Sequence, residues 1–370
     1  MRFAELAFTV TEDCNFRCAY CYQRKTRRRL DAALAARAVE AFFPRLEPVC
    51  FVHFYGGEPL LAYDVIRDAV MRLRGLNARA KKEIHFTIST NAGLLTDAIM
   101  EFLAGNRFSV MLSFDGFAQE IHRAAGSFRR TDGALRGLLD VRGIGLETNS
   151  VFTSRTVGFL ARSLEYFADI GVPDVSLSIS DTLPWSRSSV LRLKKELASL
   201  RRYSLAAFEK TGRVPFVDFR EKRGKGVFAC LAGRKRISVA PDGSLWGCPL
   251  FYDRFKSRGR GRNPDYCLGT LDEFIERPAR PCAGSGTAGY KHLRMEYFLT
   301  PDRLCLSCPD IADCAVCPVE AAFSSGIIGG ISRATCLFRR LVRAEKKLFW
   351  DQVRRRGYAG EAAAGRGRPR

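Results

Sequence analysis

Six short apolar segments, each followed by a helical pattern, constrain the fold of this chain more than any other feature. The predicted strands are Glu5–Val10, Val49–Tyr55, Ile84–Ser89, Phe108–Phe114, Leu146–Phe152 and Val175–Ser180. Helices are predicted at Leu30–Arg45, Leu61–Leu73, Thr96 (as N-cap) to about Leu103, near Gly133–Arg142, and at Val157–Ile170. Repeated βα units form parallel sheets, because a parallel partner strand requires a crossover connection. We therefore expect an α/β fold, a partial (β/α)6 TIM-like barrel with its active site at the carboxyl ends of the strands.

The alternation of strands and helices ends after Asp181, where one long polar helix is predicted over Ser188–Thr211. From Gly224 onward the chain is rich in predicted loops and in cysteines. These changes predict three divisions: a barrel over 1–214 with a linking helix at about 188–211, a loop-rich cysteine domain over 215–356, and a basic, disordered tail over 357–370.

The chain carries a formal net charge of +21 with a sequence pI of about 9.8. Such a charge fits an acidic partner, either nucleic acid or an acidic peptide. It fits equally an arginine-rich composition spread over solvated surfaces. We favour the second interpretation, because no basic run alternates with stacking aromatic residues. We expect no membrane segment and a cytoplasmic location, because no apolar run reaches about 20 residues and the N-terminus lacks a signal-peptide pattern.

Thirteen cysteines without an export signal favour metal or cluster ligation over disulfides. Cys14, Cys18 and Cys21 follow the first predicted strand with the spacing C-x3-C-x2-C. A four-iron cluster normally takes four cysteine ligands, so three of them in one loop leave one iron open to a small molecule. A zinc ion would usually recruit a fourth Cys or His nearby, and none follows here.

These three cysteines, together with the aromatic Tyr20, resemble the motif of the radical S-adenosylmethionine (SAM, AdoMet) superfamily. The resemblance implies a catalytic [4Fe–4S] cluster whose open iron is chelated by AdoMet. It implies that one electron cleaves AdoMet to methionine and a 5′-deoxyadenosyl radical, which abstracts a hydrogen atom from the substrate. An electron donor such as flavodoxin or ferredoxin would then be a partner.

Polar motifs follow the next three predicted strands in the order that this family shows. Gly56, Gly57, Glu58 and Pro59 match the family's GGEP motif, in which we expect Glu58 to pair with the AdoMet ammonium. Ser89, Thr90 and Asn91 follow the third strand, where the family contacts the ribose and methionine. Ser113 and Asp115 belong to a run similar to the family's S-x-D-G. The resemblance implies that these residues, with Tyr20, bind the cofactor.

One departure from the family pattern concerns the AdoMet carboxylate. Many relatives follow S-x-D-G with His-Asp and, three residues later, an Arg thought to hold that carboxylate. Here the run is His122-Arg123-Ala-Ala-Gly126, so the Arg is missing from its usual place. Arg123 and Arg129 are the candidate substitutes.

Seven cysteines of the C-terminal half resemble the SPASM extension of radical AdoMet enzymes, which houses two auxiliary [4Fe–4S] clusters. Carried over by position, one cluster would be held by Cys305, Cys308, Cys314 and Cys336. The other would be held by Cys230, Cys248 and Cys317, with Cys267, Cys282 or an open site in the fourth position. A pair of structural zinc sites is the alternative, because C-x2-C pairs suit zinc as well. We expect Cys50 to be an ordinary buried thiol.

Relatives with this extension mostly modify ribosomally made peptides, so we expect a peptide or protein maturase that forms a thioether or carbon–carbon cross-link on a precursor peptide. Because the chain starts at its first barrel strand, we expect a separate leader-binding protein, or a basic surface here, to bind the peptide. Formylglycine formation as in sulfatase maturases is an alternative, but there an Asp directly follows the second auxiliary cysteine, and here Pro249 follows Cys248. A nucleic-acid-binding iron–sulfur protein or an RNA-modifying radical AdoMet enzyme is the other alternative, and we see no RNA-binding module for it.

Overall fold

The computed structural model of the protein describes residues 2–221, 230–256, 265–277, 290, 300–311, 314 and 316–356. Two features predicted from the sequence lie outside these residues: the candidate ligand Cys282 and the tail at 357–370.

One nine-stranded sheet forms the centre of the fold, in the order β6-β5-β4-β3-β2-β1-β7-β8-β9. The strands are β1 (Phe3–Thr11), β2 (Leu46–Gly56), β3 (Glu83–Thr90), β4 (Ser109–Ser113), β5 (Gly145–Phe152), β6 (Asp174–Ile179), β7 (Arg236–Val239), β8 (Ser244–Trp246) and β9 (Cys267–Thr270). Strands β1 to β6 pair in parallel with their sequence neighbours. The predicted α/β arrangement of six parallel strands is thus confirmed.

The helices are α1 (Ala32–Phe42), α2 (Tyr63–Ala80), α3 (Asp97–Gly105), α4 (Gln119–His122), α5 (Ser127–Asp140), α6 (Leu160–Asp169), α7 (Arg187–Thr211), α8 (Pro249–Phe255), α9 (Leu271–Glu276), α10 (Pro318–Ser325) and α11 (Arg333–Arg355). Thr96 caps α3 as predicted, since its hydroxyl accepts a hydrogen bond from the Ile99 amide. Helix α2 extends one to two turns beyond its predicted end at Leu73. Within the described residues, no helix is both long and apolar enough to cross a membrane.

Buried aromatic rings pack the parallel strands together. Phe8 of β1 stacks on Phe54 of β2, with ring centroids 5.8 Å apart. Phe86 of β3 stacks on Phe108 at 5.3 Å, just before β4 begins. Because neighbouring parallel strands point the same way, the loops after β1, β2, β3 and β4 leave the sheet at one edge.

The C-terminal region adds three short strands to the same sheet, where the sequence predicted mainly loops. Strand β7 pairs with β1 in parallel, with Ile237 opposite Leu6. Strands β8 and β9 continue the sheet in antiparallel fashion. These strands have only three or four residues, which is too short for an alternating pattern to be recognised in the sequence. The sheet therefore runs across the predicted boundary at residue 214.

Candidate active site

The loop that follows β1 carries Cys14, Cys18 and Cys21, and all three are free thiols. The Phe16 amide donates a hydrogen bond to the Cys14 sulfur at 3.4 Å, and the Asn91 side-chain amide lies 3.8 Å from the same sulfur. The Cys21 amide donates to the Cys18 carbonyl at 3.0 Å, which closes the end of the loop. N–H groups directed at sulfur favour the thiolate form that binds metal.

Burial and nearby cations shift the pKa of two of these thiols in opposite directions. Burial raises the pKa of both Cys14 and Cys18, while Lys25 acts to lower each of them. Arg123 acts most strongly among the charges that lower the pKa of Cys18, and the neighbouring Cys21 acts to raise it. Cys18 therefore lies within electrostatic range of Cys21 and of two cations.

The turn after β2 packs directly against the backbone that leads into the cysteine loop. A Cβ atom at Gly57 would stand 2.1 Å from the Asp13 carbonyl oxygen, so only glycine fits there. The Gly57 amide donates to the Thr11 carbonyl at 2.9 Å, and the Glu58 amide donates to the Asp13 carbonyl at 2.8 Å. The two glycines thus let the turn after β2 pack closely against the backbone that follows β1. This packing fixes the position at which the cysteine loop begins. Pro59 is buried at the start of the following turn.

Glu58 is buried, and its carboxylate accepts three hydrogen bonds. The donors are the Leu60 amide at 3.1 Å, the Thr90 hydroxyl at 2.7 Å and the Asn91 amide at 2.8 Å. Burial raises the pKa of Glu58, and the donors oppose the rise. The Asn91 side chain in turn donates to the Asn15 side chain at 2.8 Å. Glu58 therefore joins the end of β3 to the cysteine loop, and its predicted pairing with AdoMet remains a prediction.

Asp115, after β4, is the centre of a second set of contacts. Its carboxylate accepts hydrogen bonds from the Tyr20 hydroxyl at 2.6 Å and the Val151 amide at 2.8 Å. Arg123 adds a bidentate ion pair, with Nε and Nη2 at 2.8 and 3.0 Å. Gly116 has a φ of 58°, a left-handed conformation that explains the glycine of the S-x-D-G run. Ser89 and Ser113 are half-buried within β3 and β4.

Electrostatic interactions connect several of the C-terminal cysteines, and their assignment to two clusters stays a prediction. Burial raises the pKa of Cys248 to about 12, and Cys317 and Cys230 are the neighbouring thiols that add to the rise. Cys305 acts on the pKa of both Cys314 and Cys336, and Cys308 acts on Cys336. Among described residues, no three Cys, His, Asp or Glu side chains are placed to hold a single metal ion. Cys267 lies in β9, where it pairs with Trp246, two residues before Cys248.

Helix α8 begins directly after Cys248 and contacts both flanks of the Cys14–Cys21 loop. Before the loop, the Glu12 carboxylate accepts a hydrogen bond from the Tyr252 hydroxyl and forms an ion pair with Lys256 at 3.3 Å. After the loop, the Gln23 amide donates to Asp253 at 2.9 Å and to the Gly56 carbonyl at 3.1 Å. The two cysteine regions are therefore joined by one short helix.

The residues of the first loop fit an iron–sulfur cluster by the chemistry of their donors. Three thiols stand on one short loop with N–H donors and cations beside them, and soft thiolate ligands select iron–sulfur clusters among metal groups. The motif residues after β2, β3 and β4 surround the same loop.

Comparison with known proteins identifies the family. The sequence profile of the radical SAM superfamily matches residues 8–172, from β1 to the loop before β6. The chain belongs to the radical SAM superfamily. Membership makes the protein an AdoMet-dependent enzyme and implies one [4Fe–4S] cluster and AdoMet as cofactors.

Several curated relatives of this radical SAM enzyme are similar over most of the chain. An uncharacterised protein of Methanocaldococcus jannaschii is 25% identical over 66% of this chain and 84% of its own length. The radical SAM cyclopropyl synthase TigE of Paramaledivibacter caminithermalis is 21% identical over 93% of this chain and 75% of its own. The GTP 3′,8-cyclase 2 of Mycobacterium tuberculosis is 26% identical over 81% and 87%.

Solved structures share the fold of this radical SAM enzyme. The enzyme anSMEcpe with bound AdoMet superposes with a TM-score of 0.74 at 17% identity, over 98% of both chains. SuiB of Streptococcus suis, bound to its precursor peptide SuiA, gives a TM-score of 0.55 at 17% identity, over 90% of this chain and 76% of that one.

Sequence reasoning missed the residues that support the motifs. Asn15 was not recognised, although it lies between two of the predicted ligands and binds Asn91. Asp253 was also missed. It is the first acidic residue after Cys248, five positions on, and this proximity in sequence is the one feature that could have marked it as a residue of the site. Arg123 was only one of two candidates, because its contact with Asp115 depends on how the loop after β4 folds back.

Proposed function

We propose that this radical SAM enzyme is a maturase that modifies a residue of a ribosomally made precursor peptide or protein and forms a thioether or carbon–carbon cross-link. The observation that carries the proposal is the contact of α8 with both flanks of the Cys14–Cys21 loop. Because α8 starts at Cys248, a redox centre held there would lie next to the radical chemistry.

Three comparisons support a peptide substrate. The anSMEcpe structure with AdoMet and a bound peptide has a TM-score of 0.72 over 96% of this chain. SuiB is bound to a precursor peptide in a structure that shares this fold. A cysteine-type anaerobic sulfatase-maturating enzyme of Clostridium perfringens is 28% identical over 30% of this chain and 32% of its own length.

The chain's own residues would hold and position the cofactors. Cys14, Cys18 and Cys21 would hold the catalytic cluster. The cofactor-binding residues would be Tyr20, Gly56, Gly57, Glu58, Pro59, Ser89, Thr90, Asn91, Ser113 and Asp115. When bound, AdoMet and the reduced cluster supply a radical that removes one hydrogen atom from the substrate.

A cross-link requires the loss of a second hydrogen from the peptide. After the first hydrogen atom has gone, the substrate must lose one electron and one proton while the new bond forms. The electron would pass to a cluster at Cys230, Cys248 and Cys317 or at Cys305, Cys308, Cys314 and Cys336. We propose that 215–356 provides these auxiliary sites beside the barrel of 1–214, and that flavodoxin or ferredoxin supplies the electron that starts the cycle.

The experiment is an anaerobic assay with peptides encoded by small reading frames beside the gene. The reconstituted enzyme, AdoMet and a flavodoxin system are incubated with each peptide, with and without a purified leader-binding protein. We expect a product lighter by the mass of two hydrogen atoms, with fragment ions missing between the two linked residues. Conversion of a single Ser or Cys to formylglycine without a link would favour the sulfatase-maturase alternative.

A parallel reaction in the same assay tests the alternative that the substrate is a nucleotide. One relative is a GTP cyclase, so GTP replaces the peptide in parallel reactions. Formation of 5′-deoxyadenosine that depends on GTP, with no modified peptide, would show that the substrate is a nucleotide. Salt-sensitive binding of RNA by the purified enzyme would revive the RNA-modifying alternative.

A further inference from the structure

The cysteine loop and the segment that follows it concentrate positive charge on the surface. Six cations and no acidic residue stand between Asn15 and Leu30, namely Arg17, Arg24, Lys25, Arg27, Arg28 and Arg29. The five arginines are exposed, and Lys25 is half-buried. The whole chain has 39 acidic residues beside 60 basic ones, so an arginine-rich composition alone would place acidic residues among these cations. We call the six residues the cationic face.

Two members of the cationic face are held directly against the cysteine loop. The Arg17 guanidinium donates to the Phe16 carbonyl at 3.3 Å, and the Lys25 ammonium donates to the same oxygen. Arg17 also donates to the carbonyl of Cys14, while its side chain stays 70% exposed. Two cations therefore meet at one carbonyl oxygen of the loop that is expected to hold the catalytic cluster.

Hydrogen bonds fix the backbone of the rest of the cationic face. The Arg28 carbonyl accepts a hydrogen bond from the Glu12 amide at 2.8 Å, and the Arg24 carbonyl accepts one from the Lys256 ammonium of α8 at 3.2 Å. Arg24 stands three residues after Cys21, so their Cα atoms are at most about 11 Å apart. The positive charge is thus arranged beside the loop in advance, which lowers the entropic cost of binding a partner.

Only one of the six cations has a close carboxylate partner within the described part of the chain. That one is Arg29, whose guanidinium pairs with Asp64. Two others reach a carboxylate at 4.0 Å, the outer limit of an ion pair: Arg17 to Asp13 and Arg28 to Asp242. The remaining three are Arg24, Lys25 and Arg27. The face therefore presents positive charge that attracts an acidic partner, and salt weakens this attraction.

We propose that the cationic face is the docking surface for a small acidic redox protein of the flavodoxin or ferredoxin class, which reduces the catalytic cluster. One electron leaves the reduced donor and enters the cluster, and no bond forms or breaks in this step. The proposal rests on the proposed cleavage of AdoMet at this loop and does not depend on the peptide substrate. Complexes of this kind are small and transient, and complementary charge mainly raises their rate of association.

The position of the cationic face favours a redox protein over an acidic leader peptide. An electron donor must approach the cluster loop itself, because electron transfer weakens steeply with distance. A leader peptide needs no such proximity to the cluster. Since Arg17 and Lys25 contact the loop backbone, a protein that binds this face lies next to the loop.

The test compares two reductants of the same cluster-loaded enzyme, reduced flavodoxin and dithionite, a small ion that needs no docking surface. The double variant Arg24→Glu, Arg27→Glu should slow reduction by flavodoxin roughly 10- to 100-fold at low salt, measured by stopped-flow absorbance. Its yield of 5′-deoxyadenosine with dithionite should equal that of the wild type. In about 1 M salt, where charges are screened beyond about 3 Å, the two proteins should react with flavodoxin at similar rates.

Two further variants serve as controls. Lys194→Glu, Lys195→Glu makes the same change of charge at two exposed positions of α7 and should leave the rate with flavodoxin near that of the wild type. Arg24→Gln, Arg27→Gln changes the charge by half as much and should give an intermediate rate. The neutral variant keeps the test decisive if the glutamates disturb cluster loading.

Three results would overturn the proposal. The first is an equal rate with flavodoxin in the wild type and both Arg24/Arg27 variants, or a wild-type enzyme that neither flavodoxin nor ferredoxin reduces. The second is an equal loss with dithionite or in the α7 control, which would indicate a damaged loop or an effect of net charge. The third is unchanged electron transfer with lost binding of a poly-glutamate peptide, which would assign the face to an acidic leader. Failure to modify any peptide would contradict the proposed function but not this docking surface.

Discussion

At the scale of single residues, Gly57 fixes how closely the turn after β2 approaches the cysteine loop. A methyl group at this position would meet the Asp13 carbonyl oxygen at 2.1 Å, and that oxygen belongs to the backbone. Since the backbone there is held by the Glu58 amide at 2.8 Å, it cannot move aside without breaking this bond.

We expect Gly57→Ala to lower the free energy of unfolding by about 1–3 kcal/mol and to reduce iron loading, because overpacking displaces the cysteine loop. The matched control is Gly75→Ala in α2, where no atom lies within 4 Å of the new Cβ. That control should raise stability by about 0.5–1 kcal/mol, the difference in helix propensity. Thermal melts and iron analysis measure both. Normal iron loading in Gly57→Ala would contradict the close packing described here.

At the scale of secondary-structure elements, helix α8 contains an acidic residue with an unusual environment. Burial raises the pKa of Asp253 to about 6, and Lys256 and Gln23 oppose the rise. Because the folded pKa is above that of the unfolded chain, protonation stabilises the fold. This stabilisation is present at low pH and is lost as the pH rises through about 6.

We therefore expect wild-type stability to fall by about 1 kcal/mol between pH 5 and pH 7 from this group alone. Asp253→Asn keeps an acceptor for Gln23 and should remove that part of the pH dependence. Asp140→Asn, at an exposed position near the end of α5, should retain it. Thermal melts of cluster-loaded protein across this range provide the measurement. A pH profile identical in all three proteins would show that Asp253 has an ordinary pKa.

Asp181, just beyond β6, joins the barrel to the C-terminal helices. Its carboxylate accepts hydrogen bonds from Ser332 at 2.6 Å, Thr335 at 3.0 Å and Ser324 at 3.1 Å. Ser332 is also the N-cap of α11, so Asp181 holds the capping residue in place. These three donors belong to the segment that carries Cys317 and Cys336.

We expect Asp181→Ala to cost about 1–3 kcal/mol, because it leaves three hydroxyl donors without their shared acceptor. The loss should be local, so limited proteolysis should cleave near the start of α11 before it cleaves the barrel. Asp140→Ala provides the control with no change in the cleavage pattern. Uniform cleavage along the Asp181→Ala chain would indicate that the contact does not join the two regions.

The sequence predicts those helices and strands that are long enough to show a hydrophobic periodicity within one continuous segment. The six parallel strands and their helices have enough residues for their periodicity to show, whereas β7, β8 and β9 do not. The close spacing of Cys14, Cys18 and Cys21 also lies within one segment, and their role as cluster ligands stays a prediction. The supports of the site, such as Asn15 with Asn91 and Arg123 with Asp115, join residues that are distant in sequence, and only the folded chain brings them together.

Across the whole molecule, we predict three clusters in one chain. We expect about 12 irons per chain, since each cluster contains four. Replacing Cys305 and Cys308 with Ala should lower this to about eight and abolish the peptide product, because the substrate radical loses its electron acceptor. Some AdoMet cleavage should persist in that variant, uncoupled from product.

The fold of that variant must be checked, because cluster ligation by cysteines also stabilises a loop-rich region. Circular dichroism of the variant must match that of the wild type before its activity is interpreted. A folded variant that makes product at the normal rate would show that the C-terminal clusters are structural. About four irons together with two zinc ions in the wild type would instead indicate structural zinc sites.

We predict that AdoMet is cleaved at the loop after β1. The most direct measurement is the yield of 5′-deoxyadenosine from anaerobically reconstituted enzyme with AdoMet and dithionite. The variant with Cys14, Cys18 and Cys21 all replaced by Ala should keep about eight irons and form no 5′-deoxyadenosine, because it retains only the auxiliary clusters. Wild-type yields of 5′-deoxyadenosine from that variant would show that AdoMet is cleaved elsewhere in the protein.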